Sequence, residues 1–592
     1  MALLVQKYGG TSVGSVERLQ AVAKRVAASK AEGHDLVVVV SAMGRTTDEL
    51  TSLAKALNPH PPQRELDMLL ATGEQVSIAL LAMALQAEGV AAISMTGPQV
   101  GIVTESAHGR ARILEVRTDR LQRHLQEGFV VVVAGFQGTS SGAGGSQEIT
   151  TLGRGGSDTS AVALAAALGA DACEIYTDVD GVLTTDPRKV PEAQLMAKVS
   201  CDEMLELASL GAAVLHPRAV EIARNYGVPL VVRSSWSDAP GTSLFSSGGR
   251  RAIGNDGLEL GKPVDGAELL EGQAVLALAH IPHEPGIAAR LFEALSSAGL
   301  SVDLIVQATH EGQSNDIAFT LDAADLNQAT NVCRQLLGEN CQLKAQAGLA
   351  KLSIAGAGIM GRPGVAAKLF DGLSQVGISL RMIATSEVKV SCLIQGNQGE
   401  KALRTTGQAF GLAEQQLRHN PKPTGADQPE VRGVALDVNQ VQLAVSHVPD
   451  QPGSAAALCR ALADAGLSLD TIVQSERQSE SAMGSCRDIA FTLPKDDHQR
   501  AMQALGQLIR QWPNAEIITG PAIARVSAVG AGMPATAGTA AKLFRALADA
   551  QINIEMIATS EIRISCVVAE ADGEKALQAV HRAFGLERGV AT

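Results

Sequence analysis

Three stretches of this 592-residue sequence place charge beside glycine in ways that suit a phosphate or a carboxylate. The first is Lys7-Tyr8-Gly9-Gly10-Thr11-Ser12-Val13-Gly14. Glycine N–H groups can approach an anion closely, a helix N-terminus adds a favourable dipole, and Lys7 adds a full positive charge. The second is Thr150-Thr151-Leu152-Gly153-Arg154-Gly155-Gly156-Ser157-Asp158, where an arginine flanked by glycines stands just before an alanine-rich segment. That is an anion-binding arrangement, although Ser157 or Asp158 would also serve as an ordinary helix N-cap. The third runs from Tyr176-Thr177-Asp178 through Asp180 and Asp186-Pro187 to Arg188. It lacks the setting and terminal glutamate of a Ca²⁺ loop, and Asp186-Pro187 reads as a plain turn with no assigned role.

The elements around these stretches alternate between strand and helix. Leu3, Leu4 and Val5 read as a buried strand, and Val16, Leu19, Val22, Ala23 and Val26 repeat with helical period. The continuous apolar runs 35–41, 129–134 and 228–232 suit strands covered on both faces, hence a mostly parallel sheet between helical layers. Helices are expected over residues 63–88, 113–127, 157–168 and 201–226. No Gly-x-x-x-x-Gly-Lys-Ser/Thr string occurs, nor a His-Arg-Asp or Asp-Phe-Gly set, so the P-loop and protein-kinase scaffolds are excluded.

The length calls for about three to five domains. A net charge of −13 without basic patches argues against nucleic acid. Eight cysteines without a Cys-x-x-Cys pair read as buried apolar residues in a reducing compartment. No apolar run is expected to reach membrane-spanning length, and no leader is read at the N-terminus. The expected location is cytoplasmic, or plastid after removal of a transit peptide.

From about residue 265 the chain repeats. His280-Ile281-Pro282-His283-Glu284-Pro285-Gly286, Asp303-Leu304-Ile305-Val306-Gln307 and Asp316-Ile317-Ala318-Phe319 return as 447–453, 470–474 and 488–491. A second type, Ala355-Gly356-Ala357-Gly358-Ile359-Met360 with Met382–Glu387, returns as 529–534 with 556–561. The order is a duplicated pair of units, each of about 70 residues in a strand–helix–strand–strand–helix–strand pattern. Gly356-Ala357-Gly358-Ile359-Met360-Gly361 imitates a dinucleotide fingerprint, but its repeat copy loses the third glycine and no room remains for the other strands.

The string Lys7-Tyr8-Gly9-Gly10-Thr11-Ser12 resembles the Lys-Phe/Tyr-Gly-Gly-Thr-Ser signature of the aspartate kinases in the amino-acid kinase family, and residues 150–160 are similar to the same proteins. The resemblance implies an α/β fold: an αβα sandwich over residues 1–250, with L-aspartate and ATP as substrates and Mg²⁺ bound with ATP. It implies catalytic roles for Lys7 and Asp158. Nucleotide contacts would come from Lys7, Tyr8, Gly9, Gly10, Thr177, Asp178, Arg188 and Val214. Substrate contacts would come from Ser41, Thr47, Glu74, Arg154, Gly155, Gly156 and Ser157. Glu74 would pair with the α-amino group; its ordinary alternative is a first-turn glutamate favoured by the helix dipole. One departure is Ala213, where the family usually carries a lysine. The β-carboxylate of aspartate is already ionised at neutral pH, so no general base is required.

The repeats resemble ACT domains, ferredoxin-like regulatory modules, and four behind one kinase domain resemble the long, cyanobacterial-type aspartate kinases. Expected bounds are 265–345, 346–415, a polar linker 416–435, then 436–518 and 519–592. Asp450, Asn553 and Ile554 match the family's effector pattern; the first two units carry His283 and Ser379 instead, and Gln307 and Gln474 recur. The expectation is that units three and four pair around Asp450, Gln474 and Asn553, with lysine and threonine as effectors and a homodimer through ACT contacts. The rivals are a glutamate-type amino-acid kinase and an ACT sensor with an inactive kinase domain.

Overall fold

The computed structural model describes residues 2–141, 147–212, 214–246, 257–282, 284–310, 314–338, 341–359, 362–422, 427–469, 471–474, 479–481 and 484–588. Ala213, His283 and the 360–361 step of the glycine fingerprint lie outside the described residues.

The first part rests on an eight-stranded sheet in the order Lys198–Ser200, Thr242–Phe245, Leu230–Ser234, Ala172–Thr177, Leu3–Tyr8, Asp35–Val40, Val130–Ala134, Ala92–Met95. Only the pairing of Leu230–Ser234 with Thr242–Phe245 is antiparallel. The valine runs explain the burial. Val37, Val39, Val131 and Val133 enter one core, while Leu36, Val38, Val40, Val130 and Val132 enter the core on the opposite face. The carboxyl ends of Leu3–Tyr8, Asp35–Val40, Val130–Ala134 and Ala172–Thr177 therefore lie along one edge. In a parallel sheet that edge is where ligands bind.

Three expectations change here. Residues 113–127 are not one helix: Ile113–Val116 is a strand beside Ile102–Thr104, and Asp119–Gln126 is the helix. The apolar, β-branched ends of Ile113–Val116 suit pairing better than a helical turn. Residues 201–226 form two helices, Cys201–Ser209 and Pro217–Tyr226, because Gly211 takes a φ of 101° and Pro217 fits only at a helix start. The helix Gln63–Ala87, at 25 residues, is long and apolar enough by composition to cross a membrane, contrary to the sequence reading. It is a core helix: Leu70, Ile78, Leu81 and Leu85 are buried, as are Asp67 and Glu74 on the same helix.

The second part contains an eleven-stranded sheet and a five-stranded one. The strand Gly266–Pro282 serves two units. Residues 266–270 pair with 351–355 of unit two, whereas 275–279 pair with 342–346 and also with the strand Ser314–Asp322 of unit one. Unit two thus completes its sheet with chain that precedes unit one. Gly433–Asp437 plays the matching part for unit four, pairing with Ile523–Val529. The stretch 416–435, expected as a linker, holds that strand's start and Leu417–His419, which runs parallel to residues 267–269.

This sharing decides the pairing of units. Units two and one lie side by side in one sheet, and the sheet continues into unit four where Val306 and Gln307 meet Ala558 and Ile557. The helices Ile287–Ser297 and Thr539–Asp549 pack together, with the Phe292 and Phe544 rings 5.3 Å apart. Helix Val365–Gln375 of unit two packs on Ser454–Asp464 of unit three. The pairs are one with four and two with three, which corrects the expected grouping of Asp450, Gln474 and Asn553.

The two parts are joined through helix Cys201–Ser209. Glu203 meets Arg432 at 3.1 Å and Glu206 meets Arg563 at 2.9 Å, and all four side chains are buried. Glu203 also accepts from the Ala531 amide, and Glu206 from the Glu387 amide. Removing one partner of a buried pair leaves an uncompensated charge. Glu206→Ala is expected to cost about 3–5 kcal/mol, seen as a lower first calorimetric transition. Glu206→Leu combined with Arg563→Met should recover most of it; equal losses in single and double variants would show that the pair is not what joins the parts.

Candidate active site

Lys7 and Asp158 meet at the carboxyl edge of the main sheet. Lys7 Nζ lies 2.6 Å from Asp158 Oδ1, and both side chains are nearly buried. Lys7 is the last residue but one of the strand Leu3–Tyr8, and Asp158 stands in the first turn of helix Gly156–Leu168. A Cβ on Gly9 would stand 3.5 Å from Lys7 Nζ, so its absence leaves room beside the ammonium for a phosphate oxygen. A Cβ on Gly10 would come within 2.7 Å of the Ala42 carbonyl, which explains how the turns after the first two strands lie so close. Gly44 N donates to Gly10 O, and Gly9 N donates to Tyr176 O. Ser12 and Ser235 hydroxyls link this turn to the Thr177 carbonyl.

Glu74 enters from the middle of helix Gln63–Ala87, so the expected first-turn position and its dipole reading do not hold. Its Oε1 accepts from the Ala42 amide at 3.0 Å, and Ser41 immediately precedes that amide. Oε2 is buried with no hydrogen-bond partner among the described residues. Burial raises the Glu74 pKa to about 7, against the lowering effect of the Ala42 hydrogen bond. A buried carboxylate with one idle oxygen is a receptor for a cation. Thr47 lies in the first turn of helix Thr46–Leu57.

Arg154 is exposed at the mouth, with Gly155 in a left-handed conformation at φ 68°. A Cβ there would collide with the His216 ring at 2.3 Å, so glycine is required on both conformational and steric grounds. Ser157 packs against Gly135 at the end of strand Val130–Ala134. Two residues not singled out from the sequence hold this turn. Asp67, 1% exposed, accepts from the Thr151 amide and hydroxyl and from the Gly109 amide, and pairs with His108. Arg218 pairs with Glu259 at 2.7 Å and donates to the Leu152 and Ala111 carbonyls. An aspartate within an otherwise apolar helical run was the one available sign of Asp67.

The nucleotide stretch is placed less uniformly. Thr177 ends the strand Ala172–Thr177 at the same edge, and Asp178 follows it. Arg188 is exposed and held by Asp186 at 2.8 Å, which gives Asp186 the role withheld from it above. Its hydrogen bond to Arg188 pulls the Asp186 carboxyl below the usual range despite some burial. Tyr8 is placed differently from Lys7. Its ring is fully buried, stacked on Tyr176 at 4.7 Å, and only its backbone faces the edge. Alternation along the strand sends Lys7 and Tyr8 to opposite faces. Val214 is half-buried beside the site, in the turn between helices Cys201–Ser209 and Pro217–Tyr226. His216, N-cap of the second helix, has its pKa lowered by burial and then by Arg218.

The profile of the amino acid kinase family matches residues 2–234. ACT domain profiles match residues 279–337, 352–410, 441–510 and 526–584. The chain is 49% identical over 415 residues to an aspartokinase of Thermus thermophilus, covering 70% of this chain and 99% of that protein. It is 47% identical over 416 residues to aspartokinase 2 of Bacillus subtilis, with 70% and 99% covered. The crystal structure of aspartate kinase from Synechocystis superposes with a TM-score of 0.85 at 54% identity, covering 100% of this chain and 99% of that one. The chain belongs to the aspartate kinases.

This aspartate kinase is an ATP-dependent enzyme whose kinase domain is followed by ACT domains. Lys7→Ala is expected to lower kcat roughly 10²–10³-fold, with an unchanged circular dichroism spectrum, because a preorganised charge at the transferring group is lost. A near-parental rate would remove Lys7 from catalysis. Glu74 generates a second expectation. Folding raises its pKa from 4.5 to about 7, so the folded state holds an extra proton in that window and stability falls as pH rises through it. Glu74→Gln lacks this effect, and its stability relative to the parent should grow with pH and level off above about 7. Parallel denaturation profiles would show that Glu74 ionises normally.

Proposed function

We propose that this enzyme transfers the γ-phosphoryl group of ATP to the β-carboxylate of L-aspartate, giving 4-phospho-L-aspartate and ADP. The observation that carries the reading is the convergence of Lys7–Asp158 with Glu74, whose buried Oε2 has no partner among the described residues. The idle Glu74 oxygen receives the α-ammonium, Arg154 receives a carboxylate, and Ser41 and Thr47 hydrogen-bond the substrate. The β-carboxylate oxygen then bonds to the γ-phosphorus as the bond to the β,γ-bridging oxygen breaks. Lys7 and the Gly10 amide offset the charge of the transferred group, while the Gly9 amide is held by the Tyr176 carbonyl. Asp158, paired with Lys7, would help hold a Mg²⁺ that accompanies the nucleotide. When bound, Mg²⁺ supplies charge neutralisation on the phosphates.

The ACT units support feedback regulation by free amino acids, with lysine and threonine as the expected effectors. Asp450, Gln474 and Ser379 line one hollow between units two and three. Gln307, Asn553 and Ile554 line another between units one and four, where Gln307 Nε2 donates to the Ile554 carbonyl. These hollows measure about 30 and 10 Å³.

The test is ATP-dependent acyl phosphate formation, trapped as hydroxamate, with aspartate and with glutamate. Aspartate should be turned over at least tenfold better; preference for glutamate would replace the assignment, and no turnover with either would favour a sensor. Asp450→Ala should weaken inhibition by lysine or threonine at least tenfold. Unchanged inhibition by both would remove Asp450 from an effector site.

A further inference from the structure

Asp67, Ala71 and Glu74 of helix Gln63–Ala87 are spaced to share one face, and all three are buried. Each is tied to a loop at the carboxyl edge of the main sheet. Asp67 accepts from the Thr151 amide, the Ala71 carbonyl accepts from Gln137 Nε2 at 2.9 Å, and Glu74 Oε1 accepts from the Ala42 amide. The Gln137 side chain therefore ends on the turn of helix just before Glu74.

Gln137 opens the strand Gln137–Ser140 and is fully buried. A carbonyl only accepts, so the Ala71 contact fixes the amide with its nitrogen toward the helix and its oxygen at the free corner. That oxygen, Oε1, is buried with no hydrogen-bond partner among the described residues, and so is Glu74 Oε2. A buried polar oxygen left without a donor is costly, and native structures keep few of them. The backbone reaches this position under strain. Phe136 takes a φ of 68°, a left-handed conformation that bulky residues rarely adopt. Its N–H donates to Ser160 Oγ and its carbonyl accepts from the Leu152 amide, which hold it there. Across the turn, a Cβ on Gly97 would come within 2.0 Å of the Gln137 carbonyl oxygen, so glycine makes room for this residue. Strain held in this way beside an idle buried acceptor marks a functional constraint.

We propose that Gln137 is a specificity-determining residue for the acceptor substrate. Its Oε1 takes a second N–H of the α-ammonium group whose first N–H goes to Glu74 Oε2. The inference rests on the reading of this enzyme as a kinase of aspartate, and deepens it. An ammonium group has three N–H donors, more than one carboxylate oxygen satisfies. With two buried acceptors, a dicarboxylic acid lacking the amino group leaves both unpaired, and such a mismatch is how a polar site rejects a close analogue. A neutral amide adds this selectivity without a second buried negative charge next to Glu74.

The test is steady-state kinetics of the full chain with aspartate and ATP, and with succinate as the inhibitor that lacks the amino group. Gln137→Met fills a similar volume without an acceptor oxygen. Gln137→Glu keeps an acceptor oxygen but, as a carboxylate, cannot donate to Ala71. Gln137→Met should raise the aspartate KM about tenfold or more, with the ATP KM and the succinate inhibition constant within about twofold of the parent. Gln137→Glu should return the aspartate KM to within about threefold of the parent. An unchanged aspartate KM in Gln137→Met, equal losses in the two variants, or a succinate constant that rises in step with the aspartate KM would overturn the inference. Equal losses would mark Gln137 as a brace for the helix through Ala71 alone. If Gln137→Met loses its calorimetric transition, Gln137→Glu decides: a tenfold rise in its aspartate KM overturns the inference. A parent enzyme that does not phosphorylate aspartate would end both the inference and the reading beneath it, whereas the other adverse results end only the inference.

Discussion

Two buried carboxylates, Glu203 and Glu206, hold the halves of this molecule in register. A charge removed from water must be paired and hydrogen-bonded, or it costs several kcal/mol. Helix Cys201–Ser209 meets that requirement only with Arg432 and Arg563 from the regulatory half, more than 220 positions along the chain in each case. The same helix runs directly into the turn that carries Val214 and then His216, whose ring rests on Gly155 in the substrate turn.

The regulatory half owes its shape to strands used out of order. Gly266–Pro282 completes one unit and begins another, and Gly433–Asp437 does the corresponding work for unit four. Unit one is thereby set between unit two and unit four in a continuous sheet, and unit three packs its helix on unit two. An open sheet edge on any one unit would expose unpaired backbone groups, and sharing covers it with a neighbour. The sheet faces of the two pairs also meet, with Val306, Met382, Val473 and Met556 in one core.

At the catalytic edge, strain-free packing and electrostatics point the same way. Glycines 9, 10 and 155 stand where a Cβ would fill ligand space or strike another chain segment. Asp67 and Arg218 stiffen the turn that presents Arg154, by hydrogen bonds to the backbone on either side of Leu152. Burial raises the Glu74 pKa to about 7, against the lowering effect of its hydrogen bond from the Ala42 amide.

The sequence alone determined the local chemistry. The glycine turns, the two-faced valine strands and the duplicated units were all legible, because each depends on neighbours within a few positions or on a repeat of itself. Tertiary structure decided what depends on distant partners. It turned Tyr8 inward to stack on Tyr176, since strand alternation settles which face a residue takes only once both faces have layers. It gave Asp186 and Asp67 their roles through contacts that no spacing reveals. Above all, it paired unit one with four and two with three, because strand sharing between non-consecutive segments is a property of the assembled sheet, not of any stretch within it.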